Sequence, residues 1–207
     1  MSPAARKKAS KKASKKAAAT TRPHPRKAAK LETIMQGEDI ARALEGIRKA
    51  IRKEFRDANG LVLMGIRTRG VSLAERLCEA LSHDYGTEVP MGVLDITLYR
   101  DDLSTLDYQP MVRDSEIPFD ITGANVILVD DVLFTGRTVR AALDEIIDFG
   151  RPNLIRLAVL VDRGGREYPI QADYVGKNVK LSDGQFVRVQ LAEVDGRDEV
   201  LVIDKKS

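Results

Sequence analysis

The sequence predicts an α/β protein built on a mainly parallel sheet with helices on both faces. Three observations carry that expectation. Continuous apolar runs occur at 61–64, 126–129 and 157–161. They lack the polar alternation of a half-exposed strand and fit strands buried on both faces. Segments with apolar residues at helical spacing, 71–82 and 138–149, lie between them, so strands and helices alternate as parallel crossovers require. Gly and Pro punctuate the joins at Asn59-Gly60 and at Gly150 with Pro152.

The elements follow in order. The ordered body begins near Leu31, and Ile40, Ala43, Leu44, Ile47, Ile51 and Phe55 fall on one helical face, which predicts an amphipathic helix over 38–58. Strand 61–64 runs into the loop Gly65-Ile66-Arg67-Thr68-Arg69-Gly70, then helix 71–82 and a strand over 89–98. Residues 99–124 are polar and contain Pro110 and Pro118. That is long for a connection inside a compact domain, so a flexible, functional loop is expected over 99–118. Strand 126–130, helix 138–149 and strand 154–161 complete the alternation. After Arg163-Gly164-Gly165 the pattern shortens to strands at 173–176, 186–191 and 199–203. These predict a small hood subdomain near 163–203, or an antiparallel edge.

The chain of 207 residues suits one domain with a sizeable core. Its formal net charge of +3 conceals an asymmetry. Residues 1–30 hold eleven Lys or Arg and no acid, leaving 23 basic against 31 acidic residues over 31–207. The unit Lys-Lys-Ala-Ser recurs at 7–10 and 11–14. A segment so poor in apolar surface is expected to be a disordered basic tail, serving either polyanion binding or solubility. The ordered domain is expected over 31–207. No apolar run approaches a membrane span, and the tail lacks the apolar stretch of a signal peptide. One cysteine, Cys78, excludes an internal disulfide and fits a reducing, cytoplasmic compartment. It lies among Val71, Ala74, Leu77 and Leu81 and reads as a core thiol.

The segment that carries chemistry is Val126-Ile127-Leu128-Val129-Asp130-Asp131-Val132-Leu133-Phe134-Thr135-Gly136-Arg137-Thr138. In open parallel sheets ligands bind beyond the carboxyl ends of the strands. The strand delivers Asp130 and Asp131 to that edge, and the turn over 132–137 opens a helix near Thr138. Unpaired N–H groups at a helix start suit a phosphate. Thr135 and Thr138 add hydroxyl donors, and Gly136 allows close approach of the backbone. Two carboxylates just ahead of such a cradle are placed to accept hydrogen bonds from sugar hydroxyls. Together these match a ribose 5-phosphate. A bare βα turn with capping threonines and solvated aspartates is the plain alternative.

These thirteen residues resemble the PRPP-binding motif of type I phosphoribosyltransferases. The likeness extends to Gly65–Gly70, to Asp95-Ile96-Thr97-Leu98-Tyr99-Arg100-Asp101-Asp102-Leu103, to Gly150-Arg151-Pro152, to Leu160-Val161-Asp162-Arg163-Gly164 and to Ala172-Asp173-Tyr174-Val175-Gly176-Lys177-Asn178. Over roughly 35–203 the chain resembles the PyrR family, bifunctional pyrimidine-operon regulators with uracil phosphoribosyltransferase activity. The resemblance implies a type I phosphoribosyltransferase-like fold and the reaction of uracil with PRPP to give UMP and pyrophosphate, with Mg²⁺. It implies that Asp130 and Asp131 hold the ribose hydroxyls and, through them or water, the metal; Asp131 would also stabilise positive charge at the anomeric carbon. Residues 134–138 would cradle the 5-phosphate. Arg67, Thr68 and Arg69 would receive pyrophosphate, and Arg100 would close over it. Catalysis would rest on Asp130, Asp131, Arg69 and Arg100. Asp162, Tyr174 and Val175 would lie beside the base.

The same resemblance implies binding of UMP or UTP, a homo-oligomer, and RNA recognition through a basic surface. Arg42, Arg48, Lys49, Arg52 and Lys53 on the first helix could contribute to that surface or form an ordinary solvated face. Gln171 stands where the family pattern leads one to expect a basic residue. Two further readings remain at this stage: an RNA-binding attenuator with vestigial catalysis, or a transferase for another base. His24 and His83 are assigned no role.

Overall fold

A computed structural model describes residues 31–99 and 115–204. The basic tail, Arg100 and most of the expected flexible loop lie outside the described residues. The element order is β1 (Leu31–Gln36), α1 (Gly37–Glu54), β2 (Leu61–Ile66), α2 (Arg69–Tyr85), β3 (Met91–Leu94), a 3₁₀ turn (Ile96–Tyr99), β4 (Asn125–Leu133), α3 (Arg137–Phe149), β5 (Leu154–Asp162), β6 (Tyr174–Asn178), β7 (Gln185–Gln190), α4 (Ala192–Asp195) and β8 (Glu199–Asp204).

Five strands form a parallel sheet in the order β3-β2-β4-β5-β6. The period of two along each strand sorts its side chains between two cores. Leu61, Leu63, Ile127, Val129, Ala158 and Leu160 face α1 and α2, meeting Ile40, Leu44, Ile47, Leu73 and Leu77. Val62, Met64, Val126, Leu128, Leu157 and Val159 face the other way, onto Val139, Ala142 and Ile146 of α3. Helices therefore cover both faces, which is why these strands read as unbroken apolar runs. A core truncation such as Leu63→Ala would cost about 2–5 kcal/mol.

A second sheet joins the chain ends. β1 pairs antiparallel with β8, and β8 with β7. The short strands expected after residue 165 thus divide. β7 and β8 are antiparallel, but β6 is the parallel edge strand of the main sheet, paired with β5. Three other boundaries differ from expectation. The first helix stops at Glu54, because the main chain of Phe55 is extended and Asn59 N–H turns back onto the Asp57 carboxylate. The strand expected over 89–98 ends at Leu94, because the Asp95 carboxylate accepts Thr97 N–H and draws the chain into a 3₁₀ turn. β4 continues through Leu133, because Val132 and Leu133 still pair with Val161 and Asp162.

Candidate active site

β2 leads through α2 to β3 on one side, and the chain then returns to β4 on the other side of β2. The order reverses between β2 and β4, so a crevice opens beyond their carboxyl ends, where open α/β sheets bind ligands. The two segments singled out from sequence meet there. Arg67, Thr68 and Arg69 from the β2–α2 turn and Asp130, Asp131 and Thr138 from the β4–α3 unit line one cavity of ≈250 Å³. Asp95 and Thr97 from the end of β3 also line it, and neither stood out for this role in the sequence.

Two glycines let the β2–α2 turn lie flat on the sheet. A Cβ on Gly70 would stand 2.5 Å from Val129 O and 3.3 Å from Asp130 Cα. A Cβ on Gly65 would meet Val71 Cα at 2.6 Å. Both contacts are closer than carbon can tolerate. The Arg67–Thr68 peptide in this turn is cis.

The acidic pair is desolvated. Asp130 is 6% exposed, and burial together with the neighbouring Asp131 charge pushes its carboxyl well above the usual range. Burial also raises Asp131, while the Arg69 charge pulls it down. Asp130 accepts the Asp131 N–H at 2.9 Å. Such a pair is costly alone and suits a ligand that brings hydroxyl donors and positive charge. Arg69 is itself engaged: it donates twice to Asp195, at 3.0 and 2.8 Å. Arg67 lies 3.3 Å from Glu116 and 3.9 Å from Asp95, and its buried Nε has no hydrogen-bond partner.

The turn after β4 is shaped by Gly136, whose φ of +91° is left-handed. Thr135 O accepts the N–H groups of Glu167 and Tyr168, at 2.9 and 3.0 Å. Arg137 is bound to Glu167 and lies over the Tyr168 ring. α3 starts here, so its first N–H groups point out of the turn without intrahelical partners.

A second cavity, ≈540 Å³, lies beyond β4 on the β5 side. Phe134, Arg163, Gly164, Gly165, Gln185 and Phe186 help line it. Arg163 lies 3.7 Å over the Phe134 ring, and the ring packs on Gly165, where a Cβ would come within 2.6 Å. Sequence reasoning found Phe134 only as part of the phosphate turn. Arg163 follows β5, whereas Gln185 and Phe186 open β7; none of the three was singled out from sequence as a side chain of this cavity.

Tyr174 and Val175, expected beside the base, direct their side chains into the two cores and leave only their backbone groups to face a ligand. As part of edge strand β6, Tyr174 is 6% exposed and donates its hydroxyl to Glu54 on α1 at 2.6 Å. Val175 packs into the opposite core. The pleat therefore commits both side chains to the two sheet faces. The Asp162 carboxylate accepts Gly164 N–H and an Arg166 guanidinium N–H, so it braces the turn that carries Arg163. The helix cations are paired locally: Arg42 with Asp39, Arg48 with Glu45 and Asp84, Lys49 with Glu45, and Arg52 with Asp84 and the Tyr85 ring. His83 is exposed at 91% of its side chain. Cys78 donates to Val89 O, and burial raises its thiol. Among the described residues no three His, Cys, Asp or Glu side chains gather as a metal site, and no described helix is long and apolar enough to cross a membrane.

A doubly covered parallel sheet, with an Asp pair and a Thr-Gly-x-Thr turn at its switch point, defines a phosphoribosyltransferase. The phosphoribosyl transferase domain model matches residues 33–193. Solved structures agree on the fold. A hypoxanthine-guanine phosphoribosyltransferase of Bacillus anthracis superposes with a TM-score of 0.62 at 19% identity, covering 83% of this chain and 97% of that one. The hypoxanthine phosphoribosyltransferase of Trypanosoma cruzi gives 0.64 at 23%, covering 83% and 94%. More specific relatives are proteins named "Bifunctional protein PyrR". That of Pelotomaculum thermopropionicum is 55% identical over 171 residues, covering 83% of this chain and 94% of the relative. That of Deinococcus radiodurans is 55% identical over 172 residues, with the same coverage. The chain belongs to the PyrR family of phosphoribosyltransferases.

Proposed function

We propose that this chain is a uracil phosphoribosyltransferase that makes UMP and pyrophosphate from uracil and PRPP, and that it also senses uridine nucleotides to regulate pyrimidine genes through RNA. One relationship carries the catalytic reading. A ribose-phosphate turn with two desolvated carboxylates is flanked by a cavity holding Arg67 and Arg69 on one side and by an aromatic cavity on the other. A nucleotide-forming displacement needs three compartments in that order: leaving polyanion, ribose phosphate, base.

In this reading Asp130 and Asp131 accept the ribose hydroxyls, and the 134–138 turn binds the 5-phosphate with its N–H groups and the hydroxyls of Thr135 and Thr138. The bond from the anomeric carbon to pyrophosphate breaks as the bond to uracil N1 forms, and the N1 proton passes to the released pyrophosphate or to solvent. Positive charge that develops at the anomeric carbon lies near the Asp131 carboxylate. Arg67, Thr68 and Arg69 receive pyrophosphate. The family resemblance assigns Arg100 to pyrophosphate as well; that residue lies outside the described residues. The donor set suits Mg²⁺, a hard ion that keeps its waters and takes one or two carboxylates plus substrate phosphates rather than a protein cage. When bound through Asp130 and Asp131 by way of water or ribose hydroxyls, it would neutralise the leaving pyrophosphate. The base lies in the Phe134–Phe186 cavity, held by backbone groups and by the Asp162-braced turn.

The word "bifunctional" in the relatives' name supports the second role, with UMP or UTP in the same pocket as effector. The RNA surface would form in a homo-oligomer, in a cytoplasmic setting that fits the single thiol. Residues 1–30, rich in Lys and Arg, would add electrostatic attraction without base readout.

The direct test is conversion of radiolabelled uracil with PRPP and Mg²⁺. UMP should form, and Asp130→Asn/Asp131→Asn should abolish it. Wild-type turnover no higher than that control would sink the catalytic reading. Competition among uracil, hypoxanthine and orotate assigns the base. Filter binding to pyrimidine-leader RNA should tighten with UMP and persist after deletion of 1–30.

A further inference from the structure

We infer that Arg163 sets the base preference of the site, selecting a base that presents a carbonyl oxygen at the edge far from the ribose, and so a uracil ring over a cytosine ring. This rests on the uracil reading and deepens it.

The strand order supplies the direction. The ribose-phosphate turn belongs to β4, and the aromatic cavity opens on the β5 side of it. A base joined to a ribose held at Asp131 therefore extends past Phe134 toward the turn after β5, so the edge opposite N1 meets Arg163. The groups near that edge differ in availability. The Gln185 amide is committed at both ends, accepting Ser182 N–H at 3.0 Å and donating to Asp204 at 2.9 Å. The Asp162 carboxylate is held by Gly164 and Arg166. The Arg163 side chain makes a single hydrogen bond among the described residues, to Gln185 O at 3.1 Å, and its buried Nε has no partner.

Arg163 is braced as a rigid donor. Its guanidinium stacks on Phe134 at 3.7 Å. Arg166 holds the turn from below, donating to Phe134 O, Ile170 O and Asp162. A guanidinium offers donors and no acceptor. The O4 of a uracil ring accepts from it. The 4-amino group of a cytosine ring sets donor against donor and leaves a desolvated N–H unpaired, which sites built around hydrogen bonds penalise heavily.

The test compares UMP and CMP, which share ribose, phosphate and O2 and differ at position 4 and in the proton on N3. Their dissociation constants are measured by calorimetry with wild type, Arg163→Met and Arg163→Gln, and PRPP binding reports that each variant is folded. Wild type should prefer UMP. Arg163→Met should weaken UMP on the order of 10- to 100-fold, with little change in CMP or PRPP. Arg163→Gln, which offers both a donor and an acceptor, should bind the two nucleotides about equally. A UMP preference that survives in both variants, or is absent from wild type, overturns the inference. Failure of the uracil reading looks different: wild type would form no UMP from uracil while another base competed for PRPP.

Discussion

Arg69 and Asp195, 126 residues apart, form a two-pronged ion pair at 3.0 and 2.8 Å. Arg69 opens α2 at the crevice. Asp195 closes α4, and its carboxylate also accepts Leu191 N–H at 2.9 Å. The small antiparallel sheet is thereby tied to the turn proposed to receive pyrophosphate. The hydrogen bonds from Arg69, with its charge, in turn hold the Asp195 carboxyl below its usual range.

Asp195→Asn should release that tie. Arg69 keeps a neutral partner at best, and the charge-assisted share of the pair is lost, about 1–2 kcal/mol. Urea denaturation should show the loss, and the KM for PRPP should rise as the turn loosens. The depressed Asp195 pKa adds a sign. Its stabilisation is present above the unfolded-state value and fades as pH falls through the lower folded value. The wild type's advantage over Asp195→Asn should therefore be full at pH 7 and small below the usual carboxylate range.

Gly70→Ala tests the close approach on the other side of the same turn. The new methyl would stand 2.5 Å from Val129 O, a backbone atom that cannot swing away. Displacement of the turn from β4 should cost about 1–3 kcal/mol. Activity should fall further than stability alone explains, because the shift separates Arg67 and Arg69 from Asp130. Unchanged kcat/KM for PRPP in this variant would show that the turn does not need its contact with β4.

Much of this frame was legible because its signals are local. β2, β4 and β5 declare themselves by unbroken apolar runs, and Asp130-Asp131 with Thr135-Gly136-Arg137-Thr138 lies in one stretch of chain. The parts that were missed depend on distant partners. Leu31–Gln36 forms β1 only because β8 offers an edge. Tyr174 looked like part of a hood, yet β5 pairs it into the main sheet and Glu54 binds its hydroxyl. β4 outruns its apolar run because β5 is long enough to pair with it. The base-side cavity draws Phe134, Arg163 and Phe186 from the ends of three different strands, and Asp95 reaches the crevice only through the register of β3.

Glu145 offers a pH-dependent test away from the aspartate pair. It is 3% exposed on α3, accepts the Ser115 hydroxyl, and leaves Oε2 without a partner. Burial raises its pKa above the ordinary glutamate value, and the Asp95 and Asp148 charges add to the shift. A raised acid pKa means that ionisation costs folding free energy above the folded value, and the cost vanishes below the unfolded one. Glu145→Gln keeps an acceptor for Ser115 and removes the charge. The variant should melt above wild type at pH 8, and the gap should close as pH falls toward 4, in calorimetry across that range. A constant gap would mean that the charge is not its source.

Glu116 is the counterpart on the surface. Its carboxylate lies 3.3 Å from the Arg67 guanidinium and is 73% exposed. An exposed pair contributes about 0–1 kcal/mol, so Glu116→Gln should barely move the melting temperature. Function should be more sensitive than stability. The substitution removes a negative charge beside the cavity proposed for pyrophosphate and frees Arg67 to meet an incoming polyanion. The KM for PRPP should fall about 2- to 5-fold at low ionic strength, and the effect should shrink as salt screens the exposed charge. An unchanged KM at every salt concentration would place Arg67 outside the path of the leaving group, and the three-compartment reading of the crevice would then rest on Arg69.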